Sequence, residues 1–270
     1  MIREITLGQY YQADSYVHRL DPRVKLFATI GFIITLFCIS NILGYIIATL
    51  ALYGTIRLSK VPLAYIVRGM KAIVFILLIT VFFNIFLTQG EHKIVSFWIF
   101  TVTWEGIKLA FFMGWRLMIL IIASSLMTLT TTPNQLTDGL EKALHLLNKV
   151  KFPVHEMAMM MSIALRFIPV LLEETDKIMK AQTARGADFE SGNLVTKAKA
   201  MIPLLVPLFI SAFRRANDLA MAMESRGYRG GVGRTKMKPL IYKKEDKISY
   251  LAVILFMVVV IIIGRLPFYI

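Results

Sequence analysis

Two tripeptides with a central arginine are the residues of this chain whose types and spacing best fit a chemical role. Ala184-Arg185-Gly186 and Ser225-Arg226-Gly227 each end a long helix-like stretch, and their alignment also pairs Ala181 with Ala222. A glycine just past a helix adopts the left-handed conformation that closes it, and the helix dipole favours an arginine before that glycine. The guanidinium then projects beyond the helix, where it can bind a carboxylate or a carbonyl oxygen.

The repetition of these tips favours a functional interpretation over a purely structural one. Helix capping alone would explain either tripeptide taken by itself. Two matching tips on one chain instead predict a partner with two equivalent acidic or carbonyl-lined sockets, as a dimer of related subunits would provide.

Signatures of covalent or metal chemistry are missing from the sequence. His155 and Glu156 begin a near match to the zinc-protease motif, but Met159 occupies the position of the second histidine. The single cysteine, Cys38, lies in an apolar run and provides neither a disulfide nor a cysteine-based metal site. No phosphate-binding loop of the Gly-x-x-x-x-Gly-Lys-Ser/Thr type occurs, so we expect no ATP hydrolysis by this chain. We therefore predict no catalytic residue, no metal site and no cofactor.

The composition is typical of an integral membrane protein. Hydrophobic residues make up 57% of the 270 residues and charged residues 18%, which is too apolar for an ordinary soluble domain. The net charge of +14 is compatible with nucleic-acid binding, but no stretch interleaves aromatic and basic residues on a polar scaffold. The basic excess instead fits membrane topology, so we predict contact with lipid and none with nucleic acid.

Apolar stretches predict an all-α protein with about five transmembrane helices. Asp21 and Pro22 predict the start of the first span, as its N-cap and first helical residue. The spans cover about residues 24–40, 42–57, 64–87, 106–130 and 248–264, and residues 88–103 fit a small hairpin outside the membrane. The domains are then an N-terminal cytoplasmic segment (1–23), spans one to four (24–131), a helical cytoplasmic insertion (132–247) and the last span (248–270).

The basic residues predict the orientation of the spans. With the N-terminus inside, only four of the 31 Lys and Arg residues lie outside or within the membrane, namely Lys93, Lys108, Arg116 and Arg265. The positive-inside rule then places the N-terminus and both arginine tips in the cytoplasm of a multi-pass cell-membrane protein.

Asn84 and Arg116 are the polar residues inside the predicted spans that most need partners. They mark a transport pathway, or they make helix-packing contacts with the arginine reaching toward the interface. The packing interpretation is favoured.

Two long helices are predicted, from Val154 to Ala184 and from about Thr196 to Ser225. The first would be about 45 Å long, and because of its charges we expect it to lie along or beneath the bilayer. Methionines concentrate in both helices, where they suit either an ordinary core or a surface that repacks against several partners. The clustering favours a docking surface, for which the apolar stripes supply Met157, Met161, Ile168, Phe209 and Phe213.

The N-terminal residues and the two tips together resemble one known family. Gly8-Gln9-Tyr10, Asp14-Ser15, His18-Arg19-Leu20-Asp21-Pro22-Arg23 and Lys25-Leu26, combined with the Arg-Gly tips, look like the CbiQ-like family of energy-coupling factor transporter transmembrane proteins, EcfT. The resemblance covers essentially the full chain, including the cytoplasmic insertion before the last span.

This resemblance implies a non-catalytic subunit of an ABC-type importer for vitamins or other micronutrients. EcfT-like proteins join two ATP-binding cassette ATPases, EcfA and EcfA′, to the S component, a small membrane protein that binds the nutrient. Carried over to this chain, Arg185 and Arg226 would be coupling arginines that dock in grooves of the ATPases, and Gly186 and Gly227 would end their helices. The apolar faces of the same crossed helices would cradle the S component and transmit ATPase closure as its toppling.

The internal duplication also predicts a contact beyond the family pattern. It aligns Glu173-Glu174 with Arg214-Arg215, so ion pairs between these residues would set the crossing of the two long helices. Exposed pairs of this kind contribute about 0 to 1 kcal/mol.

Two other classes of function compete with a coupling subunit. A membrane-embedded enzyme of the metalloprotease type needs a second set of metal ligands near His155, and the sequence does not supply it. A self-contained channel or secondary transporter needs more ionisable groups in the spans than Arg116 and the polar Asn84 provide.

Overall fold

A computed structural model of the chain describes residues 10–88, 92–97, 100–144, 153–189, 193–230, 237 and 239–265. Gly8 and Gln9 of the N-terminal motif lie outside these residues. Described elements follow the order α1 (Tyr16–Arg19), α2 (Pro22–Cys38), α3 (Ile42–Ser59), α4 (Leu63–Leu87), β1 (Lys93–Phe97), β2 (Phe100–Thr103), α5 (Trp104–Thr130), α6 (Pro133–Ala143), α7 (Val154–Ala184), α8 (Leu194–Ser225) and α9 (Lys244–Arg265). Strands β1 and β2 form an antiparallel hairpin within residues 88–103. The all-α prediction is confirmed.

Local capping signals explain where several helices begin. The side chain of Asp21 accepts a 2.9 Å hydrogen bond from the backbone N–H of Arg23, and Pro22 occupies the first turn of α2. Asn41 repeats this arrangement at α3, where its side chain accepts a 3.0 Å hydrogen bond from the backbone N–H of Gly44. The predicted first-span start at Asp21-Pro22 and the predicted break after α2 are therefore both confirmed.

The chain divides into two compact units. The spanning unit comprises Gly8–Gly139 and Leu240–Ile270, and it contains α1 to α5, the hairpin and α9. The two-helix unit comprises Leu140–Pro239 together with Met1–Leu7, and it contains α7 and α8. The division between the units falls inside α6, after Gly139.

The spanning unit has a buried core, and its helices also carry large apolar side chains on their exposed faces. The core includes Leu36, Ile39, Tyr45, Ala48, Leu52, Ile119, Leu126 and Val260. The exposed apolar side chains of α2 include Ile30, Ile34 and Phe37, and those of α4 include Phe75, Leu78 and Phe82. Surfaces this apolar are unfavourable in water, but they match the hydrocarbon of a bilayer.

Length and composition make four described helices candidates for membrane spans. They are α3, α5, α7 and the Lys244–Gly264 part of α9, while α4 contributes the shorter apolar segment Ile73–Leu87. The set includes α7, although its charges predict a position along or beneath the bilayer. It leaves out α2, whose 17 residues extend about 26 Å, less than the thickness of the hydrocarbon core.

The two polar residues in the predicted spans make hydrogen bonds within the spanning unit. Arg116 donates through Nε to the hydroxyl of Tyr45 at 2.8 Å and through Nη2 to the carbonyl of Ile39, just past the end of α2, at 3.4 Å. Asn84 donates through Nδ2 to the Thr80 carbonyl one turn earlier in α4, at 2.8 Å. The contacts of Arg116 agree with the helix-packing interpretation, whereas the hydrogen bond of Asn84 stays within its own helix.

Candidate functional site

Helix α7 has the bounds that the sequence predicted, Val154 to Ala184. Helix α8 ends at Ser225 as predicted, but it begins at Leu194, two residues before the predicted start at Thr196. Helix α7 has 31 residues and α8 has 32, so each is about 47 Å long. Pro169 lies inside α7, and Pro203 and Pro207 lie inside α8. The helices contact each other in the two-helix unit, and each ends immediately before the arginine of its tip.

The first tip is closed by a pair of backbone hydrogen bonds. The N–H of Gly186 donates to the carbonyl of Thr183 at 2.9 Å, and the N–H of Ala187 donates to the carbonyl of Gln182 at 3.0 Å. This pattern is the Schellman motif, in which a glycine in the left-handed conformation reverses the chain and satisfies the last helical carbonyls.

The second tip has the same pattern at equivalent positions. The N–H of Gly227 donates to the carbonyl of Glu224 at 2.8 Å, and the N–H of Tyr228 donates to the carbonyl of Met223 at 3.0 Å. The duplication seen in the sequence is therefore also a duplication of backbone geometry.

Backbone conformation, not lack of space, is the reason for glycine at both tips. Gly186 has φ 89° and Gly227 has φ 72°, and a Cβ atom added at either position would have no neighbouring atom within 4 Å. Residues with a side chain rarely adopt these φ values, so glycine closes the helix at the lowest conformational cost.

Replacing either tip glycine by alanine should loosen the last turn of its helix. We expect Gly186→Ala and Gly227→Ala to cost about 1 kcal/mol each, and asparagine to cost less, because asparagine tolerates the left-handed conformation better. Hydrogen exchange of the last-turn amides measures the effect. Gly54→Ala in α3 is the matched control, since a Cβ there also meets open space but the backbone is not left-handed; equal effects at all three glycines would contradict the argument.

The arginines of both tips are exposed at the helix ends. Arg185 and Arg226 occupy the C-cap positions of α7 and α8, with nearly equal backbone angles of φ −88°, ψ 6° and φ −89°, ψ 10°. Ala184 and Ser225 before them are exposed as well. Each tip thus exposes one arginine, which follows a small residue and has nearly the same backbone conformation relative to its own helix. Such groups can make paired hydrogen bonds to carboxylates of a partner.

An ion pair joins α7 and α8 at equivalent positions of the duplication. Arg215 donates through Nη2 to Oε2 of Glu174 at 3.1 Å. The two residues are 41 positions apart, which is also the separation of Arg185 from Arg226. The duplication places opposite charges at these counterpart positions, which attract, whereas identical charges there would repel. The predicted pairing is therefore confirmed for Glu174 and Arg215.

A charge-swap cycle should reveal coupling between Glu174 and Arg215. We expect Glu174→Arg and Arg215→Glu each to destabilise the contact between α7 and α8 by about 1 kcal/mol, and the double variant to recover most of that loss. The side chains are 25% and 39% exposed, which limits the coupling to about 0.5–1 kcal/mol. Hydrogen exchange of the α7 and α8 amides measures each variant.

The neighbouring residues provide the matched control for this cycle. Glu173 and Arg214 are also counterparts, but in the described part of the chain they form no ion pair with each other. The swap of Glu173 and Arg214 should therefore show no coupling. If the destabilisation in the Glu174→Arg/Arg215→Glu double variant equalled the sum of the two single variants, the pair would have no role in setting how the helices cross.

The apolar candidates on α7 and α8 differ in exposure. Phe209 and Phe213 are 61% and 68% exposed, and their stacked rings have centroids 6.4 Å apart. Met157 and Met161 are 40% and 43% exposed, whereas Ile168 is half-buried.

A shallow apolar groove surrounds the two phenylalanines of α8. Its volume is about 680 Å³, and it is lined by Val206, Phe209, Ile210, Phe213, Arg214 and Asn217. Val206 and Ile210 were not predicted from the sequence. Each lies three residues before one of the phenylalanines, but the surrounding run is apolar on all sides, so its periodicity does not single out this face.

His155 takes part in a contact within the two-helix unit. Its Nδ1 atom lies 2.9 Å from Oε1 of Glu141. Among the residues that the structure describes, no group of three or more His, Cys, Asp or Glu side chains is arranged to hold a metal ion. The metalloprotease alternative therefore gains no support from the surroundings of His155.

Comparison with known proteins gives concordant matches over most of the chain. The family model of the cobalt transport protein CbiQ matches residues 13–238, a range that contains both tips. The energy-coupling factor transporter transmembrane protein EcfT of Clostridium kluyveri is 52% identical over 267 residues, which cover 98% of each chain. EcfT proteins of Thermosediminibacter oceani and Bacillus subtilis are 51% and 47% identical, over 93% and 91% of this chain and 94% and 93% of their own lengths.

Proposed function

The chain belongs to the CbiQ family of transmembrane components of energy-coupling factor transporters, and on this premise we propose that it couples two ATPases to the movement of an S component. The protein itself hydrolyses no ATP in this proposal. Each ATPase subunit, of the EcfA or EcfA′ type, receives one arginine tip, and the S component binds a vitamin or another micronutrient.

The observation that carries the proposal is the matched geometry of the tips. Two exposed arginines follow helices that end in the same Schellman motif. A monomeric partner would offer one binding groove for an arginine tip, whereas a pair of related subunits would offer two. Each groove, if lined with carboxylates, would accept one guanidinium group. ATP-driven approach of the two subunits would then move the two helix ends together.

The cytoplasmic location of the tips is part of the same proposal. The basic residues of the chain lie almost entirely on the side that contains the N-terminus and the segment 132–247, and the positive-inside rule places that side in the cytoplasm. ATP-binding cassette ATPases need ATP from this compartment. The proposed division into an N-terminal segment, four spans, a coupling-helix domain and a last span follows from this orientation.

The apolar groove on α8 is the proposed contact for the S component. Phe209 and Phe213 are exposed side by side, with Val206 and Ile210 next to them. Met157, Met161 and Ile168 on α7 extend the apolar surface of the two-helix unit. Flexible methionine and flat aromatic side chains suit a surface that binds and releases a membrane partner.

Purification of the tagged chain from its native membranes tests the proposal. We expect two ATP-binding cassette subunits and a small membrane protein to co-purify, and only the complete assembly to take up nutrient with ATP in liposomes. Uptake by this chain alone would instead support a self-contained transporter and overturn the proposal.

A further inference from the structure

A cavity inside the spanning unit has no part in the proposed coupling. Its volume is about 340 Å³, and residues of α1, α2, α3, α5 and α9 form its walls. All of these helices belong to the same compact unit. The volume lies within the range of about 300–1,000 Å³ that is typical of small-molecule sites, and most of the lining residues are apolar. The cavity is therefore a candidate site for a mainly apolar ligand.

The end of the cavity next to α1 is polar. Lys25, in the first turn of α2, donates through Nζ to the carbonyl of His18 in α1 at 3.2 Å and to the carbonyl of Thr130, the last residue of α5, at 2.8 Å. The hydroxyl oxygen of Tyr16, also in α1, lies 3.0 Å from that of Ser249 in α9. Lys25, Thr130, Tyr16 and Ser249 all line the cavity.

The opposite end of the cavity is aromatic. Phe32 of α2 and Phe256 of α9 both line it, and their stacked rings have centroids 5.9 Å apart. Phe32 follows Lys25 by seven residues, and Phe256 follows Ser249 by seven residues, so the two ends are about 10 Å apart along the helices. A polar end and an apolar end at this separation match a ligand with one polar head and a hydrocarbon chain.

Lys25 is a buried cation that forms no ion pair among the residues that the structure describes. Its exposure is 6%. Asp21 and Asp246 attract it from beyond ion-pair distance, but their carboxylates already accept hydrogen bonds from Arg23 and from backbone N–H groups. An ammonium group has three N–H donors, and the carbonyls of His18 and Thr130 take two of them. The remaining donor and the unpaired charge favour an anionic group on the ligand.

We infer that the cavity binds a long-chain fatty acid. The carboxylate accepts a hydrogen bond from Lys25 at the polar end, and the hydrocarbon chain extends toward Phe32 and Phe256. A fatty acid carries its charge directly at the end of a single chain, whereas a phospholipid separates its phosphate from both chains by a glycerol backbone. The small volume and the buried position of Lys25 therefore favour the fatty acid. A bound fatty acid would contact several helices at once and stabilise the spanning unit.

Photo-cross-linking of the purified full chain in liposomes tests this site. The probe is palmitic acid with a diazirine in the chain and a terminal alkyne. We expect saturable labelling, which mass spectrometry locates on the segments of α2 and α9 that contain Phe32 and Phe256. Unlabelled palmitate should compete about tenfold better than its methyl ester or phosphatidylglycerol, because only palmitate brings a carboxylate to Lys25. Labelling that does not saturate, or equal competition by either of the other two lipids, would overturn the inference.

Two variants with matched controls connect the labelling to the cavity. Ala28→Phe places a ring in the cavity and leaves Lys25 in place, so labelling should fall about tenfold. Ala64→Phe is its control, because Ala64 is exposed on α4 and does not line the cavity. Lys25→Met should also reduce labelling, whereas Lys247→Met removes an exposed cation of α9 and should not.

Thermal stability provides a second measurement that does not depend on cross-linking. Palmitate should raise the melting temperature of the unchanged protein, because a ligand that binds the folded state stabilises it. It should raise the melting temperature of Ala64→Phe equally and that of Ala28→Phe much less. Since Lys25→Met also leaves two backbone carbonyls without their donor, the folded Ala28→Phe protein is the decisive variant. Undiminished labelling and an undiminished shift in Ala28→Phe would show that the fatty acid binds elsewhere.

Discussion

Replacing both tip arginines by glutamate, in Arg185→Glu/Arg226→Glu, should reduce ATP-dependent uptake to background while the chain still inserts and folds. Both side chains are exposed, and the hydrogen bonds that close the tips come from the backbone. The folding cost is therefore limited to an unfavourable helix-dipole contact of about 0.3–1 kcal/mol per tip. In a docked complex, by contrast, inversion of a paired charge costs about 2–5 kcal/mol at each socket. The combined loss lowers affinity for the ATPases by about a thousandfold or more. Co-purification of ATPases and uptake in liposomes measure it.

A charge-matched variant separates docking from a general effect of charge. Lys177 and Lys199 are exposed cations on α7 and α8, away from the tips, so Lys177→Glu/Lys199→Glu changes the net charge by the same amount. This variant should keep the ATPases bound. Arg185→Lys/Arg226→Lys should fall between the two, because lysine retains the charge but not the paired hydrogen bonds. If Arg185→Glu/Arg226→Glu and Lys177→Glu/Lys199→Glu lost the ATPases to the same extent, the tip arginines would have no special role in docking.

Local signals in the sequence predicted the helix ends well. Asp21 with Pro22 and the two Arg-Gly pairs each act through hydrogen bonds to backbone groups a few residues away. Such short-range chemistry leaves a readable pattern in the chain. The Glu174–Arg215 contact was also predictable, because the duplication aligned two residues 41 positions apart.

Contacts without a repeat or a local pattern could not be predicted. Nothing near Asp246 in the sequence indicates that its Oδ1 atom accepts a 2.8 Å hydrogen bond from the backbone N–H of Asp21, 225 residues away. The groove residues Val206 and Ile210 were missed for another reason. They lie in a run that is apolar on all sides, where periodicity does not distinguish one face from another.

The N-terminal motif acquires a physical role from these long-range contacts. Arg23 donates two hydrogen bonds to the carboxylate of Asp21, at 2.9 and 2.8 Å, and its guanidinium lies 3.7 Å from the ring centroid of Tyr242. It also donates to the carbonyl of Leu240 at 3.3 Å. The start of α2 is thereby joined to the segment that leads into α9. The motif residues that carried the family resemblance thus join two distant parts of the spanning unit.

Asp246 is the residue at the centre of this junction. It is 2% exposed, and its second carboxylate oxygen accepts a 2.7 Å hydrogen bond from the backbone N–H of Lys243 at the start of α9. The side chain of Asp246 therefore accepts hydrogen bonds from backbone N–H groups at the beginning of both α2 and α9.

The neighbouring carboxylate of Asp21 has a pKa below its ordinary value. Burial by itself raises the pKa of Asp21, but hydrogen bonds from Arg23 outweigh this effect. The Asp21 carboxylate thus stabilises the fold above about pH 4 and loses this contribution as the pH falls further.

Asp246→Ala should lower the melting temperature of the purified protein at pH 7 by about 5–10 °C. The change removes the acceptor of two backbone N–H groups, one of them buried, and each such loss costs about 1–3 kcal/mol. Glu245→Ala is the matched control, because the adjacent Glu245 is an exposed carboxylate in the same turn of α9 and should change stability by about 0.5 kcal/mol at most. Asp246→Asn retains one acceptor oxygen and should give an intermediate loss. Equal melting temperatures for Asp246→Ala and Glu245→Ala would show that the junction between α2 and α9 does not depend on this carboxylate.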